Sequence, residues 1–228
     1  MSIRDAFKEW LPAYARRAVK RTDSNQRGKF LCGPLLLLTG VSMLGCTTVV
    51  TPLQPGYLPS MMKPSHGLVL GRMHLVWNGR EQRTGARFPL HVRLRITEEE
   101  SGAQVVIDRV PVDGPFVLDL PAASYRLTVV SLHNALGVWQ TSLPTTFSVW
   151  PQECTYLGTW ELQMQTEFFS GAMTRQVFDQ RDLAARDLHA IIGHDQAPPP
   201  MVAQLATPMQ RPLVLMFQTE GTQLTSPP

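Results

Sequence analysis

Leu90-His91-Val92-Arg93-Leu94-Arg95-Ile96-Thr97 alternates apolar and polar side chains without a break. Period two over eight residues is the signature of a β-strand with one buried and one wet face. Glu98-Glu99-Glu100-Ser101-Gly102 then reads as a polar, glycine-ended hairpin loop leading into Val105-Val106-Ile107. Working backwards, Val69, Gly71, Met73, Leu75 and Trp77 alternate with Leu70, Arg72, His74 and Val76 until Asn78-Gly79 turns the chain. Working forwards, short strands are expected at Phe116–Leu120, Tyr125–Val129, Phe147–Val149 and Tyr156–Met164. Seven short strands with turn signals between them predict an antiparallel seven-stranded β-sandwich over residues 66–166.

Beyond Thr166 the period changes. Asp179 to Gly193 places Ala184, Leu188, Ile191 and Ile192 on one face and stops at glycine, so a single C-terminal helix is expected. Asp182 and Arg186 stand four apart on its solvent side. Leu213 to Phe217 is a last apolar run, either an edge strand or a docking segment. The expected division is a leader and signal or anchor helix at 1–45, a proline-rich tether at 46–65 and the sandwich at 66–166. A helix-containing extension at 167–217 and a polar, disordered tail at 218–228 complete it. The class is therefore mostly β, with one C-terminal helix and one N-terminal anchor helix.

Phe116-Val117-Leu118-Asp119-Leu120-Pro121-Ala122-Ala123-Ser124-Tyr125-Arg126-Leu127 resembles the F-x-L-x-L-P-x-G-x-Y-x-L stretch of carboxypeptidase-regulatory-like, transthyretin-like sandwiches. Phe147-Ser148-Val149 followed by Cys154-Thr155-Tyr156-Leu157-Gly158-Thr159-Trp160 is similar to a closing pair of strands in such domains of bacterial lipoproteins. The resemblance implies a fold rather than an activity, because these sandwiches serve binding, scaffolding and transport.

Charge divides the chain sharply. The formal net charge is +3, from 21 Lys+Arg and 18 Asp+Glu. Eight of those basic residues and three of the acids lie within residues 1–29, so the body beyond carries 13 and 15, a net of −2. The basicity therefore belongs to the short N-terminal segment and not to the body, and no nucleic-acid partner is expected. From Phe30 to Val50 no residue is charged, and the strongly apolar part, Phe30 to Leu44, is shorter than the roughly 20 residues that span a bilayer. A basic flank, a short apolar run and a small residue form the pattern of a secretory signal. Met43-Leu44-Gly45-Cys46, at its end, resembles the lipobox of bacterial lipoproteins. That resemblance implies cleavage after Gly45 and lipidation of Cys46. Extending the run to Val50 reaches spanning length, so an uncleaved anchor stays open. The expected place is the cell envelope, as an outer-membrane lipoprotein facing the periplasm, or alternatively an inner-membrane single-pass anchor.

Signs of catalysis are thin. There is no phosphate-cradling glycine loop, no Gly-x-Ser-x-Gly elbow and no His-Glu-x-x-His helix. His189 and His194 stand five apart across the helix-ending Gly193, the wrong spacing for two ligands on one face. His74 and His91 fall on polar strand faces and would meet only if those strands pair. Cys154 has no disulfide partner once Cys32 leaves with the signal and Cys46 is acylated; it reads as a buried small hydrophobe. Among the tryptophans, Trp77 and Trp160 sit in core register. Trp139 follows the polar stretch from His133 and reads as a loop residue, the expected ligand contact. No catalytic residue, metal or other cofactor is expected. The expected function is an envelope interaction or scaffold module with the membrane and an envelope protein as partners; the alternative is a carbohydrate- or peptidoglycan-binding module using exposed aromatics.

Overall fold

The computed structural model describes residues 47–85, 90–193, 196–208 and 211–218. The expected anchor helix, with Gly45 and Cys46, lies outside the described residues, as do His194 and most of the C-terminal tail. The first half of the described chain holds β1 (Thr47–Val50), β2 (His66–Trp77), β3 (Arg80–Glu81), β4 (His91–Glu98), β5 (Gln104–Val110) and β6 (Asp113–Pro121). The second half holds β7 (Ser124–Asn134), β8 (Gly137–Ser148), β9 (Cys154–Glu167), β10 (Ser170–Phe178), helix α1 (Arg181–Ile192), β11 (Met201–Ala203) and β12 (Leu213–Gln218).

Mostly β with one C-terminal helix is the class observed; the strand count and pairing differ from expectation. Twelve strands form one unclosed sheet in the order β1-β5-β4-β7-β8-β12-β10-β9-β2-β3, with β6 beside β2 and β11 beside β9. The sheet is mixed rather than antiparallel, because β1/β5, β2/β9 and β11/β9 run parallel. Both halves send alternate residues into one core. Val69 and Met73 of β2, Leu118 of β6 and Leu157, Trp160 and Leu162 of β9 share it with Val92, Leu94 and Ile96 of β4 and Leu127 and Val130 of β7.

The opposite face of β2 is also buried. Leu68 and Leu70 join Val117, Cys154 and Tyr156 beneath Ala184, Leu188, Ile191 and Ile192 of α1. Burial on both faces explains why Leu68-Val69-Leu70 is continuously apolar. A 12-residue helix is marginal alone, so α1 depends on this contact, worth about 1.5–3 kcal/mol for each large aliphatic side chain removed from water.

Residues 47–65 are no free tether. Thr47-Thr48-Val49-Val50, all β-branched, pair along β5 and cover part of its edge. The amide of Leu53 then donates to the Val117 carbonyl, and that of Gly56 to the Ile191 carbonyl. Residues 167–217 are likewise no separate extension. β10 pairs with β9 along its whole length, and β12 joins β10 to β8.

That junction is incomplete. β12 meets β8 only at residues 138–140 and β10 only at 170–173, so β8 and β10 diverge beyond it. Side chains fill the seam. Arg175, 2% exposed, donates to Thr145 Oγ1 and to the Thr207 carbonyl, each at 2.7 Å, with its guanidinium 5.5 Å from the Trp160 ring centre. Burial pulls its pKa down to about 10, which still leaves it charged at neutral pH. The Gln204 amide side chain accepts from the Ser148 amide and donates to the Ser148 carbonyl.

Candidate functional site

One end of the sheet gathers apolar side chains into solvent. The β9–β10 hairpin pairs Glu167 with Ser170, leaving Phe168 and Phe169 as a two-residue loop. Phe168 has φ of +47°, in the left-handed region where such loops normally carry Gly or Asn. For a bulky residue this conformation is strained, and strain of that kind concentrates at functional positions. Both rings face water, at 95% and 74% exposure. Ser170 pairs with Met216 of β12, and Phe217 pairs with Trp139 of β8, so the hairpin tip, β12 and the β7–β8 turn are neighbours. Leu136 in the turn and Val214 and Met216 of β12 are also exposed, the latter two alternating with the core-facing Leu215 and Phe217.

An aromatic relay roots this surface in the core. Phe169 lies 5.9 Å from Phe217, which lies 5.0 Å from Trp139. Trp139 itself is 4% exposed inside β8, which corrects its reading as a loop contact residue. The turn is shorter than it reads. Asn134 Oδ1 accepts from the amides of Leu136 and Gly137, and β8 starts at once. A Cβ on Gly137 would collide with the Gln218 carbonyl and the Phe217 ring, so only glycine lets β12 close onto the turn. Trp139 thus supports the apolar end from within. Phe168-Phe169 escaped the sequence reading; the available signal was an apolar pair between Glu167 and Ser170-Gly171, a turn where polar residues are usual.

A second feature lies on the outer face of β2, β6 and β9. Arg72 and His74 of β2, Asp113 of β6 and Glu161 of β9 line a cleft of about 350 Å³, with Phe178 and Gln180 as its wall beside α1. Arg72 Nη1 donates to Asp187 Oδ2 at 2.6 Å. His74 lies 3.8 Å from a carboxylate oxygen of Glu81 and 3.8 Å from one of Glu161. His91 does not meet His74; it stacks on His133 with ring centres 4.9 Å apart.

Elsewhere, Asp119 fastens the 57–66 segment to β6. Tyr57 donates its hydroxyl to Asp119 Oδ2 at 2.7 Å, and His66 Nδ1 sits 2.6 Å from Asp119 Oδ1. Burial first, then the hydrogen bond to Asp119, raises the Tyr57 pKa and keeps the hydroxyl a donor. Cys154 is fully buried beneath α1, and desolvation pushes its thiol up to about 12. The expected Asp182–Arg186 pair is realised only as a 3.4 Å contact from Arg186 Nε to the Asp182 carbonyl; Asp187 makes the longer-range ion pair instead. Among the described residues, no group of three or more His, Cys, Asp or Glu could hold a metal ion, and no helix is long and apolar enough to cross a membrane. No family model, curated protein or solved structure matches the chain.

Proposed function

We propose that this chain is a membrane-anchored lipoprotein of the cell envelope whose β-domain is a protein-interaction module, with the Phe168–Phe169 end as its binding face. The observation that carries the reading is that end itself: two exposed phenylalanines, one in left-handed backbone and the other packed on Phe217. Large apolar side chains held out in water next to one another favour an interaction site. The address rests on the basic leader, the uncharged run from Phe30 and the Gly45-Cys46 pair.

Where the chain enters the domain favours a protein over the anchoring bilayer as occupant. Thr47 aligns through Gln104, Thr97 and Arg126 with Thr146, whereas the apolar end aligns with Val138. Eight residues of β8 separate those positions, about 25 Å at roughly 3.3 Å per residue. An anchor at Cys46 therefore holds one end of the domain and leaves the other free.

The test places a photo-crosslinking residue at position 168, 136 or 101 of the full chain in cells. Discrete protein adducts at 168 and 136, none at 101, and loss on Phe169→Asp support the reading. Adducts to lipid at 168, or equal capture at 101, count against it. Separately, Cys46→Ala should abolish palmitate labelling and leave the precursor uncleaved; unchanged labelling and size would remove the lipoprotein assignment without touching the binding face.

A further inference from the structure

We propose that the open seam between β8 and β10 is a strand-acceptor site, which takes an extended segment of a partner protein in place of β12, with an Asp or Glu side chain set against Arg175. This rests on the reading of the domain as a protein-interaction module and assigns the form in which the partner docks.

The seam has two strand edges and no strand paired between them. Residues 141–147 of β8 lie along β7 on one side, and among the described residues no strand pairs with them on the other. Residues 174–178 of β10 likewise have only β9. At the far end of the gap a side chain stands in for a strand: the Gln204 amide group satisfies both the amide and the carbonyl of Ser148. β12 stops short for reasons in its own sequence. Its register, continued, would set residue 212 opposite Thr174 and residue 211 opposite both Arg175 of β10 and Thr145 of β8. Pro212 brings no backbone donor, and Arg211 would bring a second cation to a buried one. Arg211 stays exposed instead.

Arg175 defines the chemistry of that missing position. It is 2% exposed, and its Nε has no hydrogen-bond partner. Among the described residues no carboxylate forms an ion pair with it. Buried donors and buried charges are normally satisfied. Nη1 is committed to Thr145 Oγ1, whereas Nη2 has the carbonyl of Thr207, an exposed residue. Nε and Nη2 share one edge of the guanidinium, and a carboxylate takes both donors at once. A strand carrying Asp or Glu at the level of residue 211 presents that carboxylate and displaces the Thr207 carbonyl. At every second position after it, apolar side chains replace Leu213, Leu215 and Phe217 in the core. With no proline at the level of residue 212, such a strand continues along β8 where β12 cannot. In strand addition of this kind main-chain bonds supply affinity and alternate side chains supply selectivity.

The probe is a fluorescein-labelled synthetic copy of residues 211–218 carrying Arg211→Glu and Pro212→Val, titrated with the full chain in detergent and followed by anisotropy. Saturable binding is expected, at least about tenfold tighter than that of the same peptide with Gln in place of its Glu. Hydrogen exchange of the bound chain should slow within residues 141–147 and quicken within 213–218, as β12 gives way. Arg175→Met should bind both peptides alike. The comparison of the two peptides is made on the unaltered chain, so it decides the matter even where that variant does not fold. No saturable binding, equal affinity for the two peptides, or binding that leaves exchange within 141–147 unchanged overturns the proposal. Crosslinking from position 168 reports the hairpin tip by itself: adducts there without peptide binding sink only strand acceptance, and peptide binding without adducts sinks only the Phe168–Phe169 face.

Discussion

Phe168→Gly should make the domain more stable and its partner complex weaker. A non-glycine residue in left-handed backbone costs roughly 1–2 kcal/mol, and at φ of +47° Phe168 bears that cost. Its ring is 95% exposed, so removing it forfeits almost no burial. Glycine adds about 0.5–1 kcal/mol of unfolded-chain entropy, which leaves a net gain of about 0–1.5 kcal/mol. For a domain of this size that corresponds to a rise of up to about 6 °C in melting temperature. Phe168→Ala is the matched control. It removes the ring but keeps a Cβ, and therefore the strain, so its melting temperature should stay within about 1 °C of the parent. Both variants should lose the protein adduct formed from position 136. The assay is thermal unfolding of the full chain followed by far-UV circular dichroism, with crosslinking run on the same variants. A glycine variant that melts lower than the parent, or an alanine variant that loses several degrees, would show that the ring is packed in the free protein. The reasoning from strain to function would then fail.

The remaining expectations concern the interior. Gly71 faces Phe116 across β2 and β6, and a Cβ there would overlap the Phe116 ring, which packs edge-on against Trp160. Gly71→Ala should cost about 1–3 kcal/mol by overpacking, read as a lower melting temperature with altered near-UV signal. Asp119→Asn weakens the acceptor shared by Tyr57 and His66, at about 1–3 kcal/mol, and should speed hydrogen exchange at the amides of Leu53 and Gly56 more than elsewhere. Native Cys154 should resist alkylation at pH 8 and react once urea opens the fold, as resolved by peptide mass. Its folded thiol keeps the proton to about pH 12 against an ordinary value of 9.0, so its contribution to stability is full below pH 9 and is lost as pH rises towards 12. A domain whose alkaline stability is unchanged by Cys154→Ser would contradict this.

Where the sequence was legible, one physical signal dominated. β4 alternates cleanly because one face meets the core and the other meets water, and α1 shows its four buried positions because its far side is solvated. The missed strands break that signal for identifiable reasons. β10 carries Arg175 at an inward position, tolerated only because Thr145, Thr207 and Trp160 receive it. β8 has Thr141 among its buried residues and Pro144 on its exposed side, which hides the Trp139, Leu143 and Phe147 row. Parallel pairing of β2 with β9 joins residues more than 80 positions apart, and no local pattern encodes that. The apolar end is assembled from β7, β8, β9, β10 and β12 in the same way. Its Phe168-Phe169 pair was present in the sequence, but the packing of Phe169 on Phe217, and of Phe217 on Trp139, was not predictable from it.

The proline-rich stretch changes meaning most. Prolines at 52, 55, 59 and 64 read as an extended spacer because extended backbone without internal hydrogen bonds suits them. Extended backbone is also what lies along a sheet edge and across a strand, and this segment uses it so: β1 on β5, Leu53 on β6, Gly56 on the end of α1. Where the stretch does donate, the donor is a non-proline amide, such as Leu53 or Gly56, placed between the prolines. Among the described residues, sheet pairing therefore already includes Thr47, the residue after the cysteine proposed to carry the lipid. On that proposal the lipid would join the chain beside the edge of β5, whereas the Phe168–Phe169 end proposed as the binding face lies at the other end of β8.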